Sequence, residues 1–373
     1  MKVGIVMPLA ELGGGAEFML LHLLRANKHT KNREYTLFFF ENGPLVSEAE
    51  ALGYTVKVVP SGKLRQISKL FMTVYALFRW IKKEKVDIVL SWMSKAHLYA
   101  GPAAWSARID AIWFQHGAPE KNFMGQCLKY IPARAVLCPS QSAKEIQCQF
   151  TPNIPVTVIY PGVDLLENNP MMLPPTEEVR VLLGLPTKSI IVGIVARLQR
   201  WKGVHVFVEA AIRVIKDHPD VHFVIVGGSH HSEPEYRTEL EEQAIASGIA
   251  DNIHFVGYQP KVSSWIQSFD ILTHCSIGIE PFGMIIVEGL ALGKAVIASK
   301  AGGPLEIIKD GENGLLVPPD NVAHLSFAIL KLIEDRDYYN VLCKAGVKRA
   351  KAFSTERLSD NMAEFIESLR IGA

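Results

Sequence analysis

From Lys2 to Val317 this chain repeats one pattern: a short, mostly apolar run, a stretch with helical spacing, then another apolar run. The runs fall at residues 2–8, 35–41, 55–59, 88–91, 111–115 and 135–138, and again at 156–159, 190–195, 222–226, 253–256, 271–273, 295–298 and 315–317. Strands that alternate with helices in this way predict an α/β fold built on doubly wound parallel sheets. The rhythm pauses once, after the turn Tyr160-Pro161-Gly162, where the proline-rich segment Asn168 to Glu178 reads as a linker. Two Rossmann-like domains in tandem are therefore expected, residues 1–165 and 166–354, and 373 residues is an ordinary length for two. The chain closes in amphipathic helical patterns at 322–334, 338–351 and 355–369.

Composition narrows the function classes. Apolar residues make up 49% and charged residues 21%, as in a well-cored globular protein. No run approaches the roughly 18 consecutive apolar residues of a membrane span. The opening MKVGIVMPLAELGGG reads as a first strand and glycine turn, not a signal peptide. Five scattered cysteines without a CxxC spacing read as free thiols of a reducing cytoplasm. GxSxG, HExxH and zinc-type Cys/His arrays are absent, and no basic, aromatic-interleaved patch argues for nucleic acid.

Net charge is +1 but unevenly divided. Residues 1–165 carry 19 Lys/Arg against 12 Asp/Glu, and residues 166–373 carry 20 against 26. The basic first half suits an anionic partner, either a membrane surface or a phosphate-bearing acceptor. The segment Lys63 to Lys85 mixes Leu70, Phe71, Tyr75, Phe78 and Trp80 with seven Lys/Arg. A basic aromatic helix can lie on an anionic bilayer. Because this one falls between two strands, packing of its apolar residues on the sheet is the weightier expectation.

The chemistry concentrates in Ile279 to Ser299, IEPFGMIIVEGLALGKAVIAS. Pro281 and Gly283 mark a turn, and Met284 to Leu292 reads as an apolar helix stopped by Gly293. The amides of Phe282, Gly283 and Met284 then stand at a helix N-terminus, where unpaired N–H groups and the helix dipole attract an anion. Glu288, about one turn into the helix, is placed to accept hydrogen bonds from hydroxyls. Glutamate is usually a solvent-facing charge, but a carboxylate embedded in so apolar a helix is costly without a purpose. A loop carboxylate (Glu280), an anion cradle and a helix carboxylate together suit a ligand of sugar, phosphate and second sugar.

Other positions surround this stretch. Gly13-Gly14-Gly15 links a strand to a helix, a layout that brings backbone to a phosphate, although a turn needing positive φ would explain it too. His116 ends a strand, where ligands of open parallel sheets gather; a lone histidine is more often structural. Arg197 and Lys202 lie just beyond another strand end and can clamp a diphosphate, Arg by its fork and Lys as a point charge. Gly302 and Gly303 can close the same pocket. Asp335-Arg336-Asp337 imitates a metal-binding D-x-D but sits between terminal helices, and the adjacent His230 and His231 lack helical metal spacing. No metal site is expected.

Taken in order, the glycine loop ending Gly14-Gly15-Ala16-Glu17, His116, VARLQRWKG, IVGG, DNIHFVGY, EPFGMIIVEGLALGKAVIAS, AGGPLEII and ENGLLV resemble the retaining, family-4-type glycosyltransferases with their E-x7-E signature. Only the QHG context of His116 is unusual. The resemblance implies a GT-B fold, two Rossmann-like domains facing across a cleft, with the last helix (355–373) crossing back to the first domain. It implies metal-independent, anomer-retaining transfer from a nucleotide diphosphate sugar to a hydroxyl acceptor, without a cofactor. By that resemblance Glu288 holds the donor ribose, and Glu280 a hydroxyl of the transferred sugar. Arg197 and Lys202 neutralise the leaving diphosphate, Met284 and Ile285 offer it amides, and Tyr258 borders the base. Gly14 and Gly15 admit phosphate or acceptor, and His116 touches the donor sugar. A cytoplasmic enzyme of glycan, glycolipid or polysaccharide synthesis is the expectation. A sugar-nucleotide epimerase of the same fold and an inactive nucleotide-sugar-binding subunit are the alternatives.

Overall fold

The structure, a computed structural model, describes residues 1–30, 33–62, 66–119 and 123–371. It forms two compact units, Met1–Gly162 joined by the segment from Thr355 onward, and Val163–Ser354. The first unit holds β1 (Lys2–Met7), β2 (Glu34–Phe39), β3 (Thr55–Val58), β4 (Ile88–Trp92), β5 (Asp110–Phe114), β6 (Ala135–Cys138) and β7 (Val156–Val158). They lie in the order β3-β2-β1-β4-β5-β6-β7, every pair parallel. The second holds β8 (Ile191–Val195), β9 (His222–Val226), β10 (Ile253–Gly257), β11 (Ile271–His274), β12 (Ala295–Ser299) and β13 (Leu315–Val317). Their order is β10-β9-β8-β11-β12-β13, again all parallel.

The strands are apolar runs because helices cover both faces of each sheet, so neither face meets water. In the first unit one face packs Ile5, Leu37, Leu90 and Ile112 against the helix Gly15–Thr30, and the other packs Val6, Phe38 and Val89 against Trp80 and Tyr99. The helix Thr355–Ile371 adds Leu358, Met362 and Ile366 to the first core. Arg33 fastens it by donating to Ala363 O and to the Glu367 carboxylate, each at 2.8 Å. In the second unit the helix Val204–Asp217 buries Val204, Phe207, Val208, Ala211 and Val214 against β8 and β9.

Two sequence expectations need adjustment. The helix Thr176–Leu182 begins inside the segment read as linker; Pro175 precedes it, and Glu177 and Glu178 in its first turn suit the positive end of the helix dipole. The helix of the basic segment runs Ile67–Glu84, with Lys63 and Arg65 outside the described residues. Leu77, Trp80 and Ile81 pack inward as expected, but Phe71, Met72 and Tyr75 are exposed. Among the described residues no helix is long and apolar enough to cross a membrane, and all five cysteines are free thiols.

The strand order of each sheet turns once, between β1 and β4 in the first and between β8 and β11 in the second. Crevices outside the carboxyl ends of strands at such a turn are where open α/β sheets hold ligands.

Candidate functional site

In the second unit the loops leaving β8 and β11 meet. The first carries Arg197 and the turn Arg200–Lys202, and the second carries Ser276 and Glu280. Gly203 ends the turn at φ +67°, and a Cβ there would lie 1.9 Å from the Cys275 carbonyl oxygen. Only glycine permits this approach. The Ile277 amide donates to Trp201 O at 2.8 Å, tying loop to loop. Outside, the Glu233 carboxylate accepts from the Arg200 amide at 2.9 Å, while the Arg200 guanidinium lies over the Tyr236 ring.

The result is a buried ionic cluster. Lys202 Nζ donates to Glu280 Oε2 at 2.6 Å. Ser276 Oγ donates to the same oxygen at 2.8 Å, and His274 Nε2 lies 3.1 Å from it. Burial by itself would push the Glu280 carboxyl up; the His274 hydrogen bond and the Lys202 charge outweigh it and hold the carboxyl well below the usual carboxylate range. The backbone of Glu280 is fixed as well, since it bridges Gly302 and its carbonyl accepts from the Gly303 amide at 2.8 Å.

Beyond Glu280, Gly283 at φ +97° opens the helix Met284–Ala291, which no side chain caps at its N-terminus. Met284 and Ile285 stand in this first turn, half-buried. Gly289 lets the helix press on β11, for a Cβ there would lie 2.3 Å from Leu272 Cδ2. Phe282 turns its ring into the protein, edge-on to Phe353 at 5.5 Å. Glu288 lies one turn into the helix, half-buried in apolar surroundings. Burial, with the Glu167 carboxylate as a lesser cause, raises its carboxyl to about 7. Arg197 is exposed beyond β8, and Tyr258 is exposed beyond β10.

In the first unit, Gly13 to Gly15 follow β1, and none of the three has a positive φ. A turn requiring left-handed backbone is therefore not their reason. His116 follows β5 and stacks on Phe114 at 4.3 Å, with Trp92 at 4.9 Å. Its Nε2 is buried without a partner, and burial lowers the imidazole to about 3. Beside it, Met93 leaves β4 at φ +81°, a strained geometry for a residue with a Cβ.

Sequence reasoning missed His274 and Ser276; their signal was the THCS run at the carboxyl end of a strand, six and four residues before Glu280. It also missed the strained Met93. Asp335 proves to be a helix cap, its carboxylate accepting from the Tyr338 amide at 2.9 Å. His230 pairs with the Ser232 hydroxyl at 2.7 Å. Among the described residues no group of three or more His, Cys, Asp or Glu could hold a metal ion.

Comparison with known proteins follows the same division. The family described as Glycosyltransferase Family 4 matches residues 13–166, and Glycosyl transferases group 1 matches residues 175–349. The chain is 31% identical over 218 residues to a D-inositol 3-phosphate glycosyltransferase of Corynebacterium urealyticum, covering 57% of this chain and 51% of that one. It is 28% identical over 220 residues to the lipopolysaccharide core biosynthesis mannosyltransferase LpsB of Rhizobium meliloti, covering 58% and 62%. The chain thus matches between half and two thirds of the length of these relatives. Anabaena HepE, solved with UDP and glucose and with UDP-glucose, superposes with a TM-score of 0.84 at 25% identity, over 99% of this chain and 100% of that one. With one family matched in each unit and a GT-B neighbour along nearly its whole length, the chain belongs to the glycosyltransferases of group 1 and family 4.

Proposed function

We propose that the protein is a metal-independent, anomer-retaining hexosyltransferase. It moves a sugar from a nucleotide diphosphate sugar to a hydroxyl of a glycan, lipid-linked or small-molecule acceptor. The observation that carries the reading is the Lys202–Glu280 pair, held at the second sheet's turning point beside an uncapped helix N-terminus. Anabaena HepE, bound to UDP and to UDP-glucose, supports the donor class. The named activities of the two curated relatives support an acceptor in glycan or lipid-linked synthesis.

In this reading Glu280 accepts a hydroxyl of the transferred sugar and Glu288 the ribose hydroxyls, with Tyr258 against the base. The amides of Gly283, Met284 and Ile285, with Arg197 and Lys202, take the diphosphate. Cations preset where negative charge grows stabilise the transition state without reorganisation, the task a metal performs elsewhere. The acceptor oxygen forms the new bond to the anomeric carbon as the bond to the diphosphate oxygen breaks. The acceptor proton passes to that leaving oxygen, on the face where the old bond stood. Gly14, Gly15 and His116 serve sugar and acceptor from the first unit.

The basic first half also fits an anionic surface. Phe71, Met72 and Tyr75 are exposed on the helix that carries Arg79 and Lys83 in its exposed later turns. A basic face with aromatics holds a peripheral protein to anionic lipid, and an enzyme at the inner face of a membrane would meet a lipid-linked acceptor there.

The test is product analysis of the purified protein with a panel of nucleotide sugars and acceptors. A glycosylated acceptor with the donor's anomeric configuration, formed equally with chelator present, is expected. Epimerised sugar without acceptor, or tight donor binding with no turnover, would assign one of the two alternatives instead.

A further inference from the structure

The geometry points to His274 as a positioning residue that, with Ser276, fixes the Glu280 carboxylate so that one oxygen alone is offered to a ligand. His274 closes β11, its backbone in register with Ala298 and its carbonyl accepting from Ser299 Oγ at 3.3 Å. The side chain is only 5% exposed. A carboxylate can only accept, so the ring nitrogen facing Glu280 carries the proton, and Nε2–H is the donor. Nδ1 is buried with no partner. An unpartnered buried nitrogen is a cost that an apolar residue at this strand position would not bear. The imidazole is explained by what Nε2 does.

Lys202, His274 and Ser276 all converge on Oε2 of Glu280. No hydrogen bond of the described residues engages Oε1. Three donors on one oxygen, with Ser276 Oγ itself 3.3 Å from His274 Nε2, restrain the carboxyl torsion and occupy Oε2, so Oε1 is presented in a fixed place. Groups that bind hydroxyls specifically need this kind of support, because a free carboxylate samples several rotamers and loses entropy on binding. Lys202 alone would fix distance but not orientation, since an ammonium is a point charge on a flexible stem. His274 adds a planar, directional donor from a buried strand paired on both sides.

The inference rests on the reading of Glu280 as a contact to the donor sugar, and the test separates the two. Full-length wild type, His274→Leu, His274→Gln and Glu280→Gln are compared for kcat and KM with the nucleotide sugar that wild type turns over. Binding of the matching nucleoside diphosphate, which lacks the sugar, is measured by calorimetry. His274→Leu should lower kcat/KM about tenfold or more, the usual worth of one hydrogen bond to a charged group. Affinity for the nucleoside diphosphate should stay unchanged. His274→Gln, whose amide nitrogen reaches the place of Nε2, should recover most of the loss. Wild-type turnover by His274→Leu, or equal loss of both ligands without recovery by Gln, would make His274 a packing residue and overturn the inference. If wild type turns over no nucleotide sugar, the functional reading fails separately. Histidine ring-nitrogen NMR then decides the positioning role: the signal missing in His274→Leu must show a protonated Nε2 that shifts in Glu280→Gln, and an unshifted signal overturns it.

Discussion

The ammonium of Lys202 and the carboxylate of Glu280 sit 2.6 Å apart although 78 positions separate them in the chain. Both side chains are largely buried, 17% and 10% exposed. Gly203 against Cys275, and Gly302 against Glu280, close the loops that bring them together. The pair is therefore part of the fold's framework as well as of the proposed chemistry, and substitutions must be read on both scales.

Lys202→Met should lower kcat by about a hundredfold, as loss of a single charge-stabilising donor does. It should also destabilise the second unit by about 3 kcal/mol, because a buried carboxylate loses its cation. Adding Glu280→Gln removes the stranded charge, so the double variant should melt above Lys202→Met while remaining inactive. Calorimetric melting of wild type, the two single variants and the double variant checks this, and additive destabilisation would contradict it.

Glu288 gives a pH signature. Burial raises its carboxyl from 4.5 to about 7, so the folded protein holds a proton that the unfolded chain has released. Its contribution to stability is complete below about 4.5 and is lost as pH rises through about 7. Donor hydroxyls need the carboxylate, so nucleoside diphosphate binding should tighten over the same rise. Glu288→Gln should abolish both trends; equal pH slopes in wild type and variant would count against the assignment.

His116 is predicted to trade stability for function. Its buried, unpartnered Nε2 costs on the order of 1–3 kcal/mol. His116→Phe keeps the stack on Phe114 and removes the orphan nitrogen, so the melting temperature should rise by a few degrees. Sugar transfer should fall at least about tenfold if the ring nitrogen contacts substrate. A variant that is stabler and fully active would mark His116 as structural.

Gly203→Ala should be among the most damaging of single-methyl changes. The added carbon meets the Cys275 carbonyl at 1.9 Å in a left-handed backbone, so the loops must part. A loss of about 2 kcal/mol or more is expected, together with loss of activity as Lys202 leaves Glu280. Urea unfolding monitored at Trp201 is the direct measurement.

Co-sedimentation with anionic vesicles tests the first unit's outer helix. Lys82 donates to Ala107 O and is partly structural, so Arg79→Glu with Lys83→Glu is the cleaner pair. Binding that weakens with salt and again in this variant is expected. Absence of binding at low salt would remove the membrane from the account.

Every strand was legible because parallel strands covered on both faces read as plain apolar runs, as 88–92 and 295–299 show. The loop and helix around Glu280 were legible from Pro281, Gly283 and Gly293, whose backbone needs are local. What escaped depends on distance in the chain. Nothing near Lys202 announces Glu280, and His274 looks like one more strand residue until the loop folds back over it. The strain at Met93 is invisible for a related reason: methionine is no turn signal, and only the surrounding packing imposes its backbone. Exposure of Phe71 and Tyr75 was misjudged because helical spacing tells which residues share a face, not how far the sheet extends beneath it.

The last helix lends Leu358, Met362 and Ile366 to a core whose first strand begins at Lys2. Val163–Ser354 is thus an insert inside a unit whose two parts are separated in the chain by its whole length. The usual order, in which the N-terminal unit folds first on the ribosome, is reversed in its final step. The insert can finish while the first unit still waits, with part of its apolar surface open, for the closing helix to be synthesised. That interval exposes the nascent chain to chaperones and to aggregation, and a stop codon shortly before Thr355 would prolong it indefinitely.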